Sequence, residues 1–314
     1  MATLLWLQAG ACSGDSMALL SAETPDFLEA LETYGIQILW HPSLSVESPA
    51  ALEEKVRRIE MGEITLDVLC VEGSVLLGPD GSGMFDTFRG GPKKDLIERL
   101  CRHAGVVVAV GTCSAFGGIP AAPPNPSDAV GMQFLKAEPD GGLLEPQWRS
   151  KRGLPVVNLS GCPVHPNTVI QTLVMLLNQM KIELDHLNRP AEFYSTLVHQ
   201  GCTRNEYHEF NVEETAFGKP GCLFFNLGCQ GPNTLATCNG ILWNGRNSKT
   251  RAGVPCMSCT SPAFPRSENL MRTDKLGNVP TTLPLGVGRA AYMSYKGLAR
   301  GATPQRLIER KTKF

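Results

Sequence analysis

Five short apolar runs recur through the first half of the chain, at residues 4–8, 36–40, 66–71, 106–110 and 156–159. Each is strand-length and most are followed by small or turn-forming residues, so each reads as a strand. Between them lie segments whose apolar positions fall at helical spacing, at 26–34, 51–61 and 93–102. The last run leads into 165–180, where 167–177 keeps the helical period. Strands alternating with helices in this way predict an α/β fold built on a doubly wound parallel sheet, ending near residue 185. Pro123, Pro124 and Pro126 mark a long loop inside it.

Beyond that point the pattern dissolves. Residues 186–285 are rich in Gly, Pro, Asn and Cys and hold few periodic runs. Such a segment has little apolar surface to bury and needs a covalent or metal staple. A final helix is expected over 288–300, followed by the basic end "RLIERKTKF", which reads first as a solvated face and second as a contact for an anionic surface. The expected organisation is therefore a sheet domain at 1–185, a stapled and mostly irregular domain at 186–285, and a helix with its tail at 286–314.

Composition narrows the functional classes. The chain has 314 residues, 42% of them apolar, and a net charge of −1, which argues against disorder and shows no basic excess for nucleic acid. Its longest apolar runs, such as 106–110, are far too short to span a bilayer. No charged leader with an apolar core precedes the first strand, so a cytoplasmic location is expected, with any membrane association arising through partners. Eleven cysteines is an odd number. In a reducing compartment, cysteines in clusters point to metal more than to disulfides.

The placement of those cysteines carries the chemistry. Cys12 and Asp15 follow the first strand, Glu72 the third, Cys113 the fourth and Cys162 the fifth. In a parallel sheet those loops emerge together at the carboxyl edge, where open α/β sheets bind their ligands. Three thiols and a carboxylate there form a four-ligand set, and thiolates select zinc, copper(I) or iron–sulfur clusters. Cys70 and Cys101 read as structural, one inside a strand and one inside a helix. The second half adds His199, Cys202, Cys222, Cys229, Cys238, Cys256 and Cys259. Seven donors are too many for one tetrahedral metal. If His199, Cys202, Cys222 and Cys229 hold one group, three thiolates remain, which suit a three-iron cluster or a four-iron cluster with a non-cysteine ligand. A zinc-stapled interaction protein is the competing reading from the residues alone.

The motifs "WLQAGACSG", "CVEGS", "GTCSAFGG", "SGCP", "HQGC", "GCLFFNLGCQGP" and "PCMSC" together resemble the small, electron-transferring subunit of nickel–iron hydrogenases. The resemblance implies a flavodoxin-like first domain, a second domain stapled by clusters, two 4Fe–4S clusters and one 3Fe–4S cluster. It also implies a nickel–iron centre in a separate large subunit, further pairing of such heterodimers, and an electron acceptor that the sequence does not name. By motif, Cys12, Asp15, Cys113 and Cys162 would hold the proximal cluster. His199, Cys202, Cys222 and Cys229 would hold the distal one, and Cys238, Cys256 and Cys259 the medial three-iron cluster. Asp15 stands where the family usually has cysteine, which resembles the actinobacterial-type branch; the alternative is that its side chain caps the following helix. Glu72 either hydrogen-bonds the proximal set or solvates a strand end. A hydrogen-sensing regulatory subunit on the same scaffold is the second functional reading. The respiratory-complex relative of this fold is set aside because no Cys-Cys pair occurs here.

Overall fold

The computed structural model describes residues 1–266 and 270–310. Five strands form one sheet: β1 (Ala2–Gln8), β2 (Ile36–Trp40), β3 (Leu66–Glu72), β4 (Ala104–Val110) and β5 (Val157–Leu159). Their order is β2-β1-β3-β4-β5 and every pairing is parallel. The chain winds outward from β1 in both directions, which opens a crevice at the carboxyl ends of β1 and β3.

Residue parity explains why helices cover both faces. Leu5 and Leu7 of β1, Leu69 and Val71 of β3, and Val107 and Ala109 of β4 point to one side, against α3 (Pro49–Glu60), α4 (Lys93–His103) and α5 (Gly111–Phe116). Leu4 and Trp6, Val68 and Cys70, and Val106 and Val108 point to the other, against α1 (Gly14–Leu20), α2 (Phe27–Thr33) and α6 (Pro166–Leu177). Successive side chains of a strand alternate between faces, so a strand covered on both sides is apolar at nearly every position. Each fully buried Leu or Val contributes roughly 1.5–3 kcal/mol. Cys70 and Cys101 lie within these two cores, and burial pushes both thiols far above their ordinary range.

Local signals set the helix ends. Asp26 accepts from the Glu29 amide at 2.7 Å and starts α2; Ser48 accepts from Ala51 at 3.3 Å, with Pro49 in the first turn of α3. His165 does the same for α6, its Nδ1 accepting from the Asn167 amide at 3.2 Å. Within residues 1–185 the structure adds two short helices that apolar periodicity did not predict, α1 and α5. Both start within the small-residue turns that carry Asp15 and Cys113. Gly, Ser, Thr and Cys are weak helix formers, and packing against the sheet sustains these turns.

The chain divides into two compact units, Met1–Glu192 with Thr260–Phe264, and Phe193–Cys259 with Pro265–Phe314. The second is mostly loop, with the short helices α8 (Asn205–Glu209) and α9 (Phe224–Leu227), and later α10 (Arg289–Gly301) and α11 (Gln305–Ile308); α7 (Ala191–Tyr194) spans the boundary between the units. Its buried apolar cluster has nine members, and three of them are cysteines, so packing alone supplies little stability here. The basic end is not a plain solvated face. Leu307 is fully buried, Arg306 pairs with Glu206, and Arg310 pairs with Glu214 and donates to Pro220 O at 3.0 Å. Lys311 and Lys313 lie outside the described residues. Among the described residues no helix is long and apolar enough to cross a membrane.

Candidate functional site

At the carboxyl edge of the sheet, backbone bonds lace the predicted ligand loops together. Gly10 donates to Ser74 O at 2.8 Å and accepts from the Ser74 amide at 3.2 Å, tying the β1 loop to the β3 loop. Thr112 and Gly161 exchange two bonds of 2.8 Å, joining the loops that carry Cys113 and Cys162. The Val164 amide donates to Asp15 Oδ1 at 2.7 Å, linking the β5 loop to the β1 loop. Residues 15 and 164 are thereby in contact across 149 positions of sequence. Burial pushes the Cys113 thiol up, a backbone bond at Ile119 opposes it, and the nearby charges of Asp15 and Cys12 raise it further.

Glycine is required where the backbone closes on these side chains. Gly111 has φ +86°, and a Cβ there would fall 2.0 Å from Asp15 Oδ2. Gly118 has φ +51°, and its Cβ would fall 2.6 Å from Cys113 Sγ.

Asp15 is buried in the first turn of α1, and its Oδ1 takes a bond from the β5 loop instead of capping its own helix. In the chain without iron, burial raises its carboxyl to about 7, against the Val164 bond and with help from the charge of Glu72. Glu72 does not solvate a strand end. It is the buried last residue of β3 and accepts from Trp6 Nε1 at 3.0 Å, Gln8 Nε2 at 3.0 Å, Asp15 N at 3.1 Å, Ser16 N at 3.2 Å and Ser16 Oγ at 2.5 Å. It therefore fixes the turn that presents Asp15. Lys136, which sequence reasoning missed, brings a half-buried ammonium near Cys113 and donates to Gly118 O at 2.9 Å and Phe264 O at 3.2 Å. A single lysine in a Gly- and Pro-rich loop gives no periodic or motif signal.

In the second unit, His199, Cys202, Cys222 and Cys229 line one cavity, with Arg204 and His208 beside them. Amides aim at the sulfurs: Arg204 N at Cys202 Sγ (3.4 Å), Phe224 N at Cys222 Sγ (3.4 Å) and Cys256 N at Cys229 Sγ (3.3 Å). Such bonds stabilise thiolate over thiol. The Arg204 guanidinium is held by Thr250 O, Lys219 O and Gly221 O, each at 2.7 Å. His208 is a further missed residue. Its Nδ1 lies 3.4 Å from Cys222 Sγ, its ring stands edge-on to His199 at 4.5 Å, and burial lowers it to about 4.

Cys238, Cys256 and Cys259 form the third group. Burial raises the Cys238 thiol to about 12, and the charges of the other two cysteines push the same way. The Cys256 thiol rises to about 11, and Lys249 Nζ lies 3.9 Å from Cys259 Sγ. Near neutral pH such thiols stay protonated unless a metal takes the place of the proton. Among the described residues, no three His, Cys, Asp or Glu side chains stand close enough to hold a single metal ion. Instead, soft donors line a shared cavity, and amides point at the sulfurs. That donor set fits a polynuclear iron–sulfur group.

Comparison with known proteins gives the same assignment. Residues 12–176 match the family described as NADH ubiquinone oxidoreductase, 20 Kd subunit, and residues 194–272 match the family described as the C-terminal part of NiFe/NiFeSe hydrogenase small subunits. An "F420 non-reducing hydrogenase I small subunit" of Methanosarcina mazei is 31% identical over 92% of this chain and 81% of its own. The chain belongs to the small subunits of nickel–iron hydrogenases. Among solved structures, the actinobacterial-type NiFe-hydrogenase from Ralstonia eutropha is similar to this small subunit with a TM-score of 0.79. The two are 29% identical, covering 96% of this chain and 90% of the other. A Ni-Fe-Se hydrogenase from Desulfomicrobium baculatum follows with a TM-score of 0.73 and 30% identity, covering 86% and 99%. The match of the first half to the respiratory-complex family concerns the sheet unit; the second half separates the two families. Small subunits of this family carry iron–sulfur clusters and pair with a large subunit in a hydrogen-oxidising enzyme. The sensor and zinc-stapled readings are not favoured.

Proposed function

We propose that this small subunit relays electrons from its large subunit through three clusters held by three donor groups. Cys12, Asp15, Cys113 and Cys162 would hold a proximal 4Fe–4S cluster. Cys238, Cys256 and Cys259 would hold a medial 3Fe–4S cluster, and His199, Cys202, Cys222 and Cys229 a distal 4Fe–4S cluster. The clusters supply reversible one-electron chemistry when bound. The chain's own groups position the donors and adjust their electrostatics. Glu72 anchors the turn of Asp15, Lys136 places positive charge near Cys113, and Arg204 does so near Cys202 and Cys222. The cavity bounded by His199, Cys202, Cys222 and Cys229 supports the reading most directly. Further parts of the proposal are a cytoplasmic location and association into a dimer of heterodimers.

The test is a metal count on the purified heterodimer. About eleven iron and about twelve acid-labile sulfide in each small subunit are expected; zinc without sulfide would refute the reading. Asp15→Cys tests the carboxylate ligand. It is expected to change the proximal electron paramagnetic resonance signal and midpoint potential while leaving the other two clusters alone, because thiolate is softer and more covalent than carboxylate. An unchanged proximal signal removes Asp15 from the ligand set.

A further inference from the structure

The net charge of −1 conceals a sharp partition. Unit Met1–Glu192 with Thr260–Phe264 carries 14 Lys and Arg against 23 Asp and Glu, a formal −9; the remainder carries 15 against 7, a formal +8. Thiolate-bound clusters absorb part of that positive charge. Several of the cations, however, gather on one face of the second unit.

Phe225 adjoins Phe224, whose amide donates to Cys222 Sγ. Two ammonium groups lie against its ring, Lys296 Nζ at 3.3 Å and Lys275 Nζ at 3.8 Å from the centroid. Lys275 and Arg272 are exposed, and Arg272 and Lys296 are close enough to repel the charge of Lys275. Glu213 bonds Lys296 at 3.0 Å. A narrow cleft runs between Phe225, Glu213 and Tyr292 and reaches His208 and Cys222. Alongside, α10 buries Ala299 and half-buries Tyr292 and Lys296, but leaves Met293, Tyr295 and Leu298 at 57%, 58% and 77% exposure. Cations on this face steer an oppositely charged partner, and its apolar side chains give a short-lived close contact.

We propose that the Phe225 face receives the electron acceptor, and that the acceptor is a small redox protein with an acidic docking surface. This rests on the reading above, in which electrons leave from the group bound by Cys222. The balance is complete: hydrogen gives two electrons and two protons at the large subunit, and two one-electron acceptors each take one electron.

The experiment uses the iron-loaded heterodimer under hydrogen and two forms of one probe, basic cytochrome c and the same cytochrome with its lysines succinylated to reverse its charge. The succinylated form is expected to show about tenfold higher kcat/KM at low ionic strength, an advantage that shrinks as salt screens it. Arg272→Glu with Lys275→Glu is expected to invert the preference, with methylene blue reduction unchanged. If the double variant loads iron poorly, Lys275→Gln and the salt dependence of the native protein carry the same test. Faster reduction of basic cytochrome by the native protein, or a preference indifferent to charge reversal, overturns the proposal. So does binding to phosphatidylglycerol vesicles that needs Arg272 and Lys275 without any cytochrome preference, which would assign the face to a membrane. Cytochrome reduction that persists in an iron-loaded Cys222→Ala heterodimer would instead refute the exit route.

Discussion

His41 shows how one side chain couples packing to pH. It is fully buried, its ring 5.2 Å from that of Trp6, and its Nδ1 accepts from the Ser43 amide at 3.1 Å. A proton on Nδ1 would destroy that bond, and burial holds the imidazole down at about 4 from an ordinary 6.5, against an opposing pull from Glu72. The unfolded chain therefore takes up a proton that the folded chain refuses. Stability from this residue is intact above pH 6.5 and is lost as pH falls toward 4. In urea unfolding, the stability of the native chain relative to His41→Gln should fall by about 1–2 kcal/mol between pH 7.5 and pH 5.5. An identical acid limb in the variant would assign the loss elsewhere. Sequence could not flag His41, because a single histidine after a strand carries no motif. Cys12, Cys113 and Cys162, in contrast, could be placed at one sheet edge because the ends of parallel strands converge by topology.

At the scale of elements, β2 occupies the span that the apolar run gives, and β1 begins two residues earlier because Ala2 pairs with Ile36. Such edges depend on a neighbouring strand and lie outside local pattern. α1 and α5 were missed for the reason that makes them useful: their first turns are built from residues small enough to bring backbone against Asp15 and Cys113. Gly111→Ala tests this. Left-handed backbone costs alanine about 1–2 kcal/mol at either Gly111 (φ +86°) or Gly153 (φ +78°). Gly153 has no neighbour within 4 Å, whereas the new methyl at 111 meets the Asp15 carboxylate. Gly111→Ala should therefore cost more than Gly153→Ala in thermal unfolding, and should also disturb the proximal paramagnetic signal. Equal costs with an intact signal would show that the carboxylate moves aside freely.

Across the whole molecule, the two units rest on different physics. The first has an apolar core on each face of its sheet; the second has one small cluster into which Cys222, Cys229 and Cys256 are themselves packed. Iron removed by a chelator should thus expose the second unit first. Limited proteolysis of the stripped protein should cut within residues 193–259 while a fragment near residues 1–192 survives. Simultaneous loss of both would show that the sheet unit also depends on its metal. The irregular unit was legible as a need for staples and not as a path of chain, because loops held by donor side chains leave no periodicity to read.

The contact between Asp15 and Val164 also orders events in time. Residue 15 leaves the ribosome 149 positions before the amide that meets it. No nascent fragment short of Val164 can close that contact. On the proposed ligand set, the proximal pocket can take up iron and sulfide only once about half of the 314 residues have been made.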